Sequence, residues 1–149
     1  MNLKYATKNK YGKLYKVINS NTITIQNAYT LFGIENYKNN VFYIKWIVDN
    51  KYLENIKKNI ESDLQIKFPE CTISSCVIIK PNYSDMLLTK VINNNSLTID
   101  KEEGDISTLS EFIEKKKKYD INLAVDNVFI SDNKVLKYSL TIKKIQIAF

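Results

Sequence analysis

The chain of 149 residues carries a formal net charge of +6 from 22 lysines and 16 acidic residues, and it contains neither arginine nor histidine. Without these two residue types it can form no Ser-His-Asp triad, HExxH zinc helix or arginine finger, and its three glycines make no phosphate-binding loop. These absences predict a non-enzymatic protein without cofactor or metal. The length predicts one domain. The lack of a signal peptide and of any apolar run near the roughly 18 residues that a membrane span needs predicts a soluble intracellular protein.

The positive charge is concentrated in the first 20 residues, which contain five lysines and no acidic residue. The other 129 residues contain 17 lysines and 16 acidic residues, a net charge of +1. We interpret residues 1–20 as a basic N-terminal arm and residues 21–149 as a single domain. Such an arm attracts polyanions through its field, although a solvated arm without a partner would have the same composition.

The domain begins with two stretches, residues 22–32 and 41–48, that alternate as β-strands do. A period of two puts successive side chains on opposite faces of a sheet, so each stretch predicts a half-buried strand. In the second strand the more apolar face includes Trp46, which we expect in the core. Tyr43 and Lys45 fall on the opposite face, where they are free to contact a ligand.

Helical periodicity begins at Lys51, and large apolar residues then recur at intervals of three and four in the stretch before Pro69. Such a stripe predicts an amphipathic helix, the clearest in the chain. Asp49 and Asn50 are suitable residues for its N-terminal cap.

Strands are predicted again at residues 72–79 and 86–92, separated by a turn at 81–85. Cys71 and Cys76 lie next to and within the first of these strands. Side chains an odd number of positions apart on a strand point to opposite faces, so we expect no disulfide between them. A closed structural zinc site usually needs four Cys or His ligands, which the chain lacks.

An acidic loop at residues 100–105 follows a short predicted strand. Beyond it, Thr108-x-x-Glu111 is a capping-box pattern that predicts a short helix over residues 107–117. The last turn would hold the lysines of 115–118, where positive charge is favourable, although the same run would also suit a nucleic-acid contact. The loop leaves an acid-only hydrolase conceivable, but no pair of carboxylates is distinguished as catalytic.

The closing segment, residues 118–149, predicts two long strands that each change phase. The large apolar side chains move from odd to even positions at Asp126 and Asn127, and from even to odd positions after Lys143 and Lys144. A β-bulge adds one residue, reverses the alternation and bends the strand. Two such shifts favour a sheet that curls, so we predict a mainly β (α+β) fold: an OB-fold-like five-stranded antiparallel barrel with one amphipathic helix and a long C-terminal hairpin.

Two segments, KPNYSDMLLTKV (80–91) and KYDINLAVDNVFISDNKVLKYSLTIKKIQI (118–147), resemble the OB-fold single-stranded-DNA-binding proteins of tailed phages and of large eukaryotic DNA viruses. The first is similar to that family's strand ending in a Lys-aliphatic pair. The second is similar to its last two strands, which turn through polar residues and return through an aromatic-Ser-aliphatic step. The resemblance implies non-catalytic coating of single-stranded DNA in viral DNA replication at the host-cell site of that replication, with replication proteins or further copies of the chain as partners and no membrane.

Such an interface needs lysines that bind the phosphate backbone and aromatic rings that stack on bases. Arginine usually makes bidentate base contacts, so its absence suits sequence-tolerant binding, and a stacking groove accepts RNA as well as DNA. The predicted contacts are Tyr37, Lys38, Tyr43, Lys45, Lys80, Tyr83, Lys90 and Lys137.

The alternative is a non-enzymatic protein-interaction or virion structural domain. In it the sheet contacts another protein and the basic arm is a flexible tether. A partner complex of that kind would be much less sensitive to salt than several phosphate contacts are.

Overall fold

The computed structural model describes residues 1–20, 22–38, 41–92 and 97–148, and of Lys38 it describes the backbone alone. The fold is mainly β, as predicted. The strands are β1 (Asn2–Asn9), β2 (Gly12–Ile18), β3 (Ile23–Ala28), β4 (Ile34–Lys38), β5 (Val41–Ile47), β6 (Thr72–Ser74), β7 (Val77–Ile78), β8 (Met86–Ile92), β9 (Leu97–Ile99), β10 (Glu102–Gly104), β11 (Tyr119–Ser131) and β12 (Val135–Ile147). The helical segments are α1 (Asn50–Ile56), a π-helical turn (Lys57–Glu61), α2 (Ser62–Lys67) and α3 (Ile106–Phe112).

The described strands form one mixed sheet whose main path runs β1-β2-β11-β12-β8-β5-β4. Strand β3 also pairs with β11, and β7 pairs with β8. Strand β12 runs parallel to β6, β8 and β9, whereas the other pairs along the sheet are antiparallel. The long hairpin of β11 and β12 therefore lies in the middle of the sheet and joins its two halves.

The hairpin contains both predicted phase shifts as interruptions of its register. In one, Lys143 is an extra residue of β12; in the other, Asp126 and Asn127 of β11 oppose the single Ser139. Lys143 Nζ lies 3.1 Å from the Asp126 carboxylate, so an ion pair links the two irregular positions. The bulges let both strands keep apolar side chains in the core over 13 residues each.

The strand ladders do not close into the predicted five-stranded barrel. The path has open ends at β1 and β4, and among the described residues an isolated antiparallel bridge between Tyr29 and Ile47 is all that joins the β3 segment to β5. In this bridge Tyr29 N donates to Ile47 O (3.1 Å) and Ile47 N donates to Tyr29 O (2.7 Å). Strand β3 ends at Ala28, directly after Asn27, which has a φ of 59°. The described residues therefore form no ladder between β3 and β5 beyond this bridge.

The basic N-terminal segment is part of the sheet and not a solvated arm. Strands β1 and β2 form a hairpin, and β2 pairs with β11 from Gly12 to Lys16. Leu3 and Val17 pack against the core, and this apolar contribution outweighs the lysine-rich composition. At Gly12 the backbones approach so closely that a Cβ would overlap the carbonyl oxygen of Ile130.

The predicted helix before Pro69 is confirmed as the continuous run α1, π-turn and α2. Asp49 is its N-cap, with Oδ1 accepting a hydrogen bond from Lys51 N at 3.1 Å. Its apolar stripe is buried in the core; the buried residues are Leu53, Ile56, Ile60 and Leu64. The π-helical turn shifts the phase of the helix and ends at Glu61, which faces the sheet.

Helix α3 is shorter than predicted. Asp105 caps it by accepting from Thr108 N at 3.0 Å, and Ile113 already has an extended backbone, so the helix ends at Phe112. The lysines of 115–118 therefore lie beyond the helix and cannot stabilise its last turn. Lys116 adopts a φ of 68° there, and its N–H donates to Thr30 O at 2.9 Å.

The core confirms two further predictions. Trp46 is fully buried, and its Nε1 donates to Thr89 Oγ1 at 2.9 Å. Cys71 and Cys76 are buried free thiols. In the described part of the chain, no helix has the length and apolar character that crossing a membrane requires.

Candidate nucleic-acid interface

A groove of about 480 Å³ crosses one face of the sheet, where β4, β5, β8 and β12 meet the segment between β6 and β7. It brings together five of the eight predicted contact residues, which are Tyr37, Tyr43, Lys45, Lys90 and Lys137. These residues come from four different strands, so the groove exists only once the sheet has formed.

The alternation of β5 determines which side chains face the groove. Ile44 and Trp46 point into the core and are fully buried, so Tyr43 and Lys45 point the other way. On the neighbouring strand, Lys90 lies directly opposite Tyr43. An aromatic ring and two ammonium groups are thus held side by side on a rigid part of the sheet.

Two tyrosines form the aromatic part of the groove. Tyr37 is 63% exposed, and its ring centroid lies 5.5 Å from that of Tyr43 at an interplanar angle of 81°. Burial raises the pKa of the Tyr43 hydroxyl, and the neighbouring Tyr37 and Cys76 raise it further. Tyr43 therefore stays neutral at physiological pH and adds no negative charge to the groove.

The charge of the groove is positive, because three lysines line it against one described carboxylate, Glu35. Lys45 Nζ lies 3.3 Å from Glu35, so these two charges largely cancel. Within the described residues neither Lys90 nor Lys137 is ion-paired with a carboxylate. Both remain available for an anionic ligand.

A partly buried hydrogen-bond cluster fixes the groove wall between β6 and β7. The Tyr138 hydroxyl donates to Glu61 Oε2 at 2.5 Å, and Ser75 Oγ donates to the same oxygen at 2.6 Å. Cys76 N donates to the Tyr138 hydroxyl at 3.3 Å. Burial raises the pKa of Tyr138 above its usual range and that of the Cys76 thiol to about 12, so both side chains are neutral.

The predicted contact Tyr83 lies outside this groove but belongs to a second aromatic pair. Its ring is 5.8 Å from that of Phe32, and Lys45 Nζ lies 5.7 Å from the Phe32 ring. Phe32 and Tyr83 are 40% and 50% exposed. The pair thus extends the aromatic surface from Lys45 outwards.

The remaining predicted contacts are not brought into the groove. Lys80 is exposed but does not line it, and the side chain of Lys38 lies outside the described residues. Sequence reasoning did not select Phe32 or Glu35. The signal for Phe32 was its place beside Gly33 at the end of the strand predicted over residues 22–32, although the structure puts it in the bend between β3 and β4. Glu35 needed the β4–β5 register, which sets it opposite Tyr43.

The sequence matches no protein-family model and no curated protein sequence. The structure is similar to that of the single-stranded DNA-binding protein from bacteriophage Enc34 in a C-terminally truncated form, with a TM-score of 0.59 and 14% identity over 98% of this chain and 94% of that one. It is also similar to a second structure of the Enc34 protein, with a TM-score of 0.57 and 14% identity over 99% of this chain and 89% of that one. The chain therefore shares its fold with these phage proteins, which confirms the resemblance to phage proteins at the level of the fold.

Proposed function

We propose that this protein binds single-stranded nucleic acid, DNA in the first place, through the groove and without strong sequence preference. The observation that carries the proposal is the convergence of Tyr37, Tyr43, Lys90 and Lys137 on one face of the sheet. The likeness to solved structures named as single-stranded DNA-binding proteins supports the same conclusion.

The groove supplies the two interactions that such binding needs. Lys90 and Lys137 neutralise backbone phosphates, and each contact with a single strand steepens the logarithmic salt dependence of affinity by about 0.7. Tyr37 offers an exposed ring, and stacking on one base contributes about 1–3 kcal/mol whatever the base. No arginine is present to make bidentate base contacts, which favours sequence-tolerant binding.

The proposal includes an OB-type arrangement of five strands, β3-β5-β8-β12-β11. The antiparallel pairs β5–β8, β12–β11 and β11–β3, the parallel pair β8–β12 and the Tyr29–Ile47 bridge support it. OB-folds bind oligonucleotides on the face of their second and third strands. In this arrangement those strands are β5 and β8, which carry Tyr43, Lys45 and Lys90.

We further assign the protein a non-catalytic role: it coats single strands that are exposed during viral DNA replication, in the infected cell. The sequence-tolerant chemistry of the groove and the phage origin of the similar structures support this role. RNA would fit the same stacking surface, and replication proteins or further copies of the chain remain proposed partners.

The test is binding to oligo-dT between about 50 and 200 mM salt, measured by fluorescence anisotropy. K90Q/K137Q should reduce the logarithmic salt slope by about 1.4, because two phosphate contacts are lost. K57Q/K58Q, which removes the same charge from exposed positions of the helix, is the matched control and should leave the slope nearly unchanged. Equal slopes for the two variants would disprove the groove as the binding site.

The aromatic contact is tested by Y37A and Y37F. The alanine variant should weaken binding by about 1–3 kcal/mol, whereas phenylalanine keeps the stacking ring and should bind like the wild type. Salt-independent association with a protein partner and no affinity for oligo-dT would favour the interaction domain instead.

A further inference from the structure

We propose that the nucleic-acid path continues from the groove across the sheet to the N-terminal hairpin, where Lys16 and Lys4 bind the phosphate backbone. This inference rests on the function proposed above. It assigns a role to the basic segment, which the groove itself does not use.

The strand register places the two lysines on the face that carries the groove. Lys137, which lines the groove, lies opposite Phe129 of β11. Asn127, two residues from Phe129 and therefore on the same face, lies opposite Lys16, and Lys16 lies opposite Lys4. No register shift interrupts β2 against β11 between these positions.

A neighbouring row of paired residues across β2, β11 and β12, here called a rung, confirms which way the side chains point. Tyr15 lies opposite Val128, and Val128 lies opposite Tyr138. Val128 and Tyr138 are buried and Tyr15 packs against the core, so this rung faces inwards. Lys4 and Lys16, one position away on their strands, consequently face outwards, and both are exposed.

The distances suit one continuous strand of nucleic acid. Neighbouring strands lie about 4.8 Å apart, so the three steps from β12 to β1 cover about 14 Å, which a few nucleotides span. The acidic side chain nearest in sequence to this path is Asp126, whose carboxylate is paired with Lys143 at 3.1 Å. The positive charge from Lys137 to Lys4 is therefore not cancelled by this carboxylate.

No described carboxylate compensates the charge of the two lysines. They stand directly opposite each other, an arrangement that destabilises a strand pair. In the described residues no carboxylate pairs with either of them, nor with the other lysines of residues 1–20. A phosphate between the two ammonium groups removes this repulsion and gains two charge-assisted contacts.

The hairpin provides its own matched control. Lys8 and Lys13 form a second lysine pair directly opposite each other, but Lys13 lies on the rung of Ile130 and Leu136, which face the core side of the sheet. This pair therefore points away from the groove face. K4Q/K16Q and K8Q/K13Q remove the same charge from the same two strands, but from opposite faces of the sheet.

The experiment measures the salt dependence of binding to oligo-dT of about 4 and of about 20 nucleotides, which are the lower end of the usual site sizes of OB-folds and a length above their upper end. K4Q/K16Q should reduce the logarithmic salt slope for the long oligonucleotide by about 1.4 and affect the short one less, because an oligonucleotide that occupies the groove has few nucleotides left to reach the hairpin. K8Q/K13Q should leave both slopes close to wild type. Thermal melts verify that the two hairpin variants are equally folded.

The outcomes separate the two proposals. Equal effects of K4Q/K16Q and K8Q/K13Q on the long oligonucleotide, with K90Q/K137Q still weakening the short one, would overturn the hairpin site and leave the groove intact. A wild-type protein that binds neither oligonucleotide would overturn both.

Discussion

Among single residues, Tyr138 connects the groove to the rest of the protein. Its hydroxyl joins Glu61 of the helix to the backbone of Cys76, and the residues on either side of it in β12, Lys137 and Ser139, line the groove. The sequence predicts the burial of Tyr138, because it shares its phase with apolar neighbours, and the structure confirms it. Its partner Glu61 is 77 positions away and could not be foreseen from local periodicity.

The buried thiol of Cys76 should make stability depend on pH. Its pKa is raised from 9.0 to about 12 in the folded state, so the folded protein holds this proton more tightly than the unfolded chain does. Below pH 9 the thiol is protonated in both states and its contribution is complete; as the pH rises from 9 towards 12, only the unfolded chain loses the proton. We therefore expect the free energy of unfolding to fall over this range.

Urea unfolding at several pH values measures this effect, and C76S is the variant that isolates it. Serine keeps a hydrogen-bond donor at this position but does not titrate in the range, so its stability should decline less steeply above pH 9. The Cys71 thiol and the buried tyrosines, whose pKa values are also raised, contribute to the decline that remains. Identical declines in the two proteins would contradict the role of the thiol.

Among the elements, the C-terminal hairpin was the best predicted, because a change in strand phase is a local property of the sequence. Both shifts, at Asp126–Asn127 and at Lys143, occur where the alternation breaks. The N-terminal hairpin was missed for the opposite reason. Its five lysines dominate the composition, and its place in the sheet depends on pairing with β11, more than 100 residues away.

Insertion of an alanine between Lys143 and Lys144 tests the function of the bulge. The second extra residue shifts the alternation by one more position and turns Ile145, which is fully buried, towards solvent. Full burial of an isoleucine is worth about 1.5–3 kcal/mol, so the free energy of unfolding should fall by at least that amount.

The control is K143A, which keeps the extra residue and removes only its partly exposed ion pair with Asp126. It should cost less than about 1 kcal/mol in the same urea titration. An insertion as mild as this substitution would show that the register does not depend on the single extra residue of the bulge.

For the whole molecule, the sheet gathers residues that the sequence could select only one strand at a time. Tyr43, Lys45 and Lys137 were chosen because they alternate with core positions, and all three line the groove. Lys80, Tyr83 and Lys90 were chosen from a family-like segment. Lys90 lies in β8 and lines the groove, whereas the turn after β7 carries Lys80 and Tyr83 outside it. The neutralising carboxylate and the second aromatic pair depend on tertiary contacts, so no local pattern could predict them.

Photo-crosslinking of oligo-dT containing iododeoxyuridine, with the crosslinked peptides mapped by mass spectrometry, tests the groove most directly. Crosslinks on Tyr37 or Tyr43 are the expected result, because these rings stand beside Lys90 and Lys137 on the proposed path. Crosslinks confined to tyrosines that do not line the groove, such as Tyr29 or Tyr52, would contradict it.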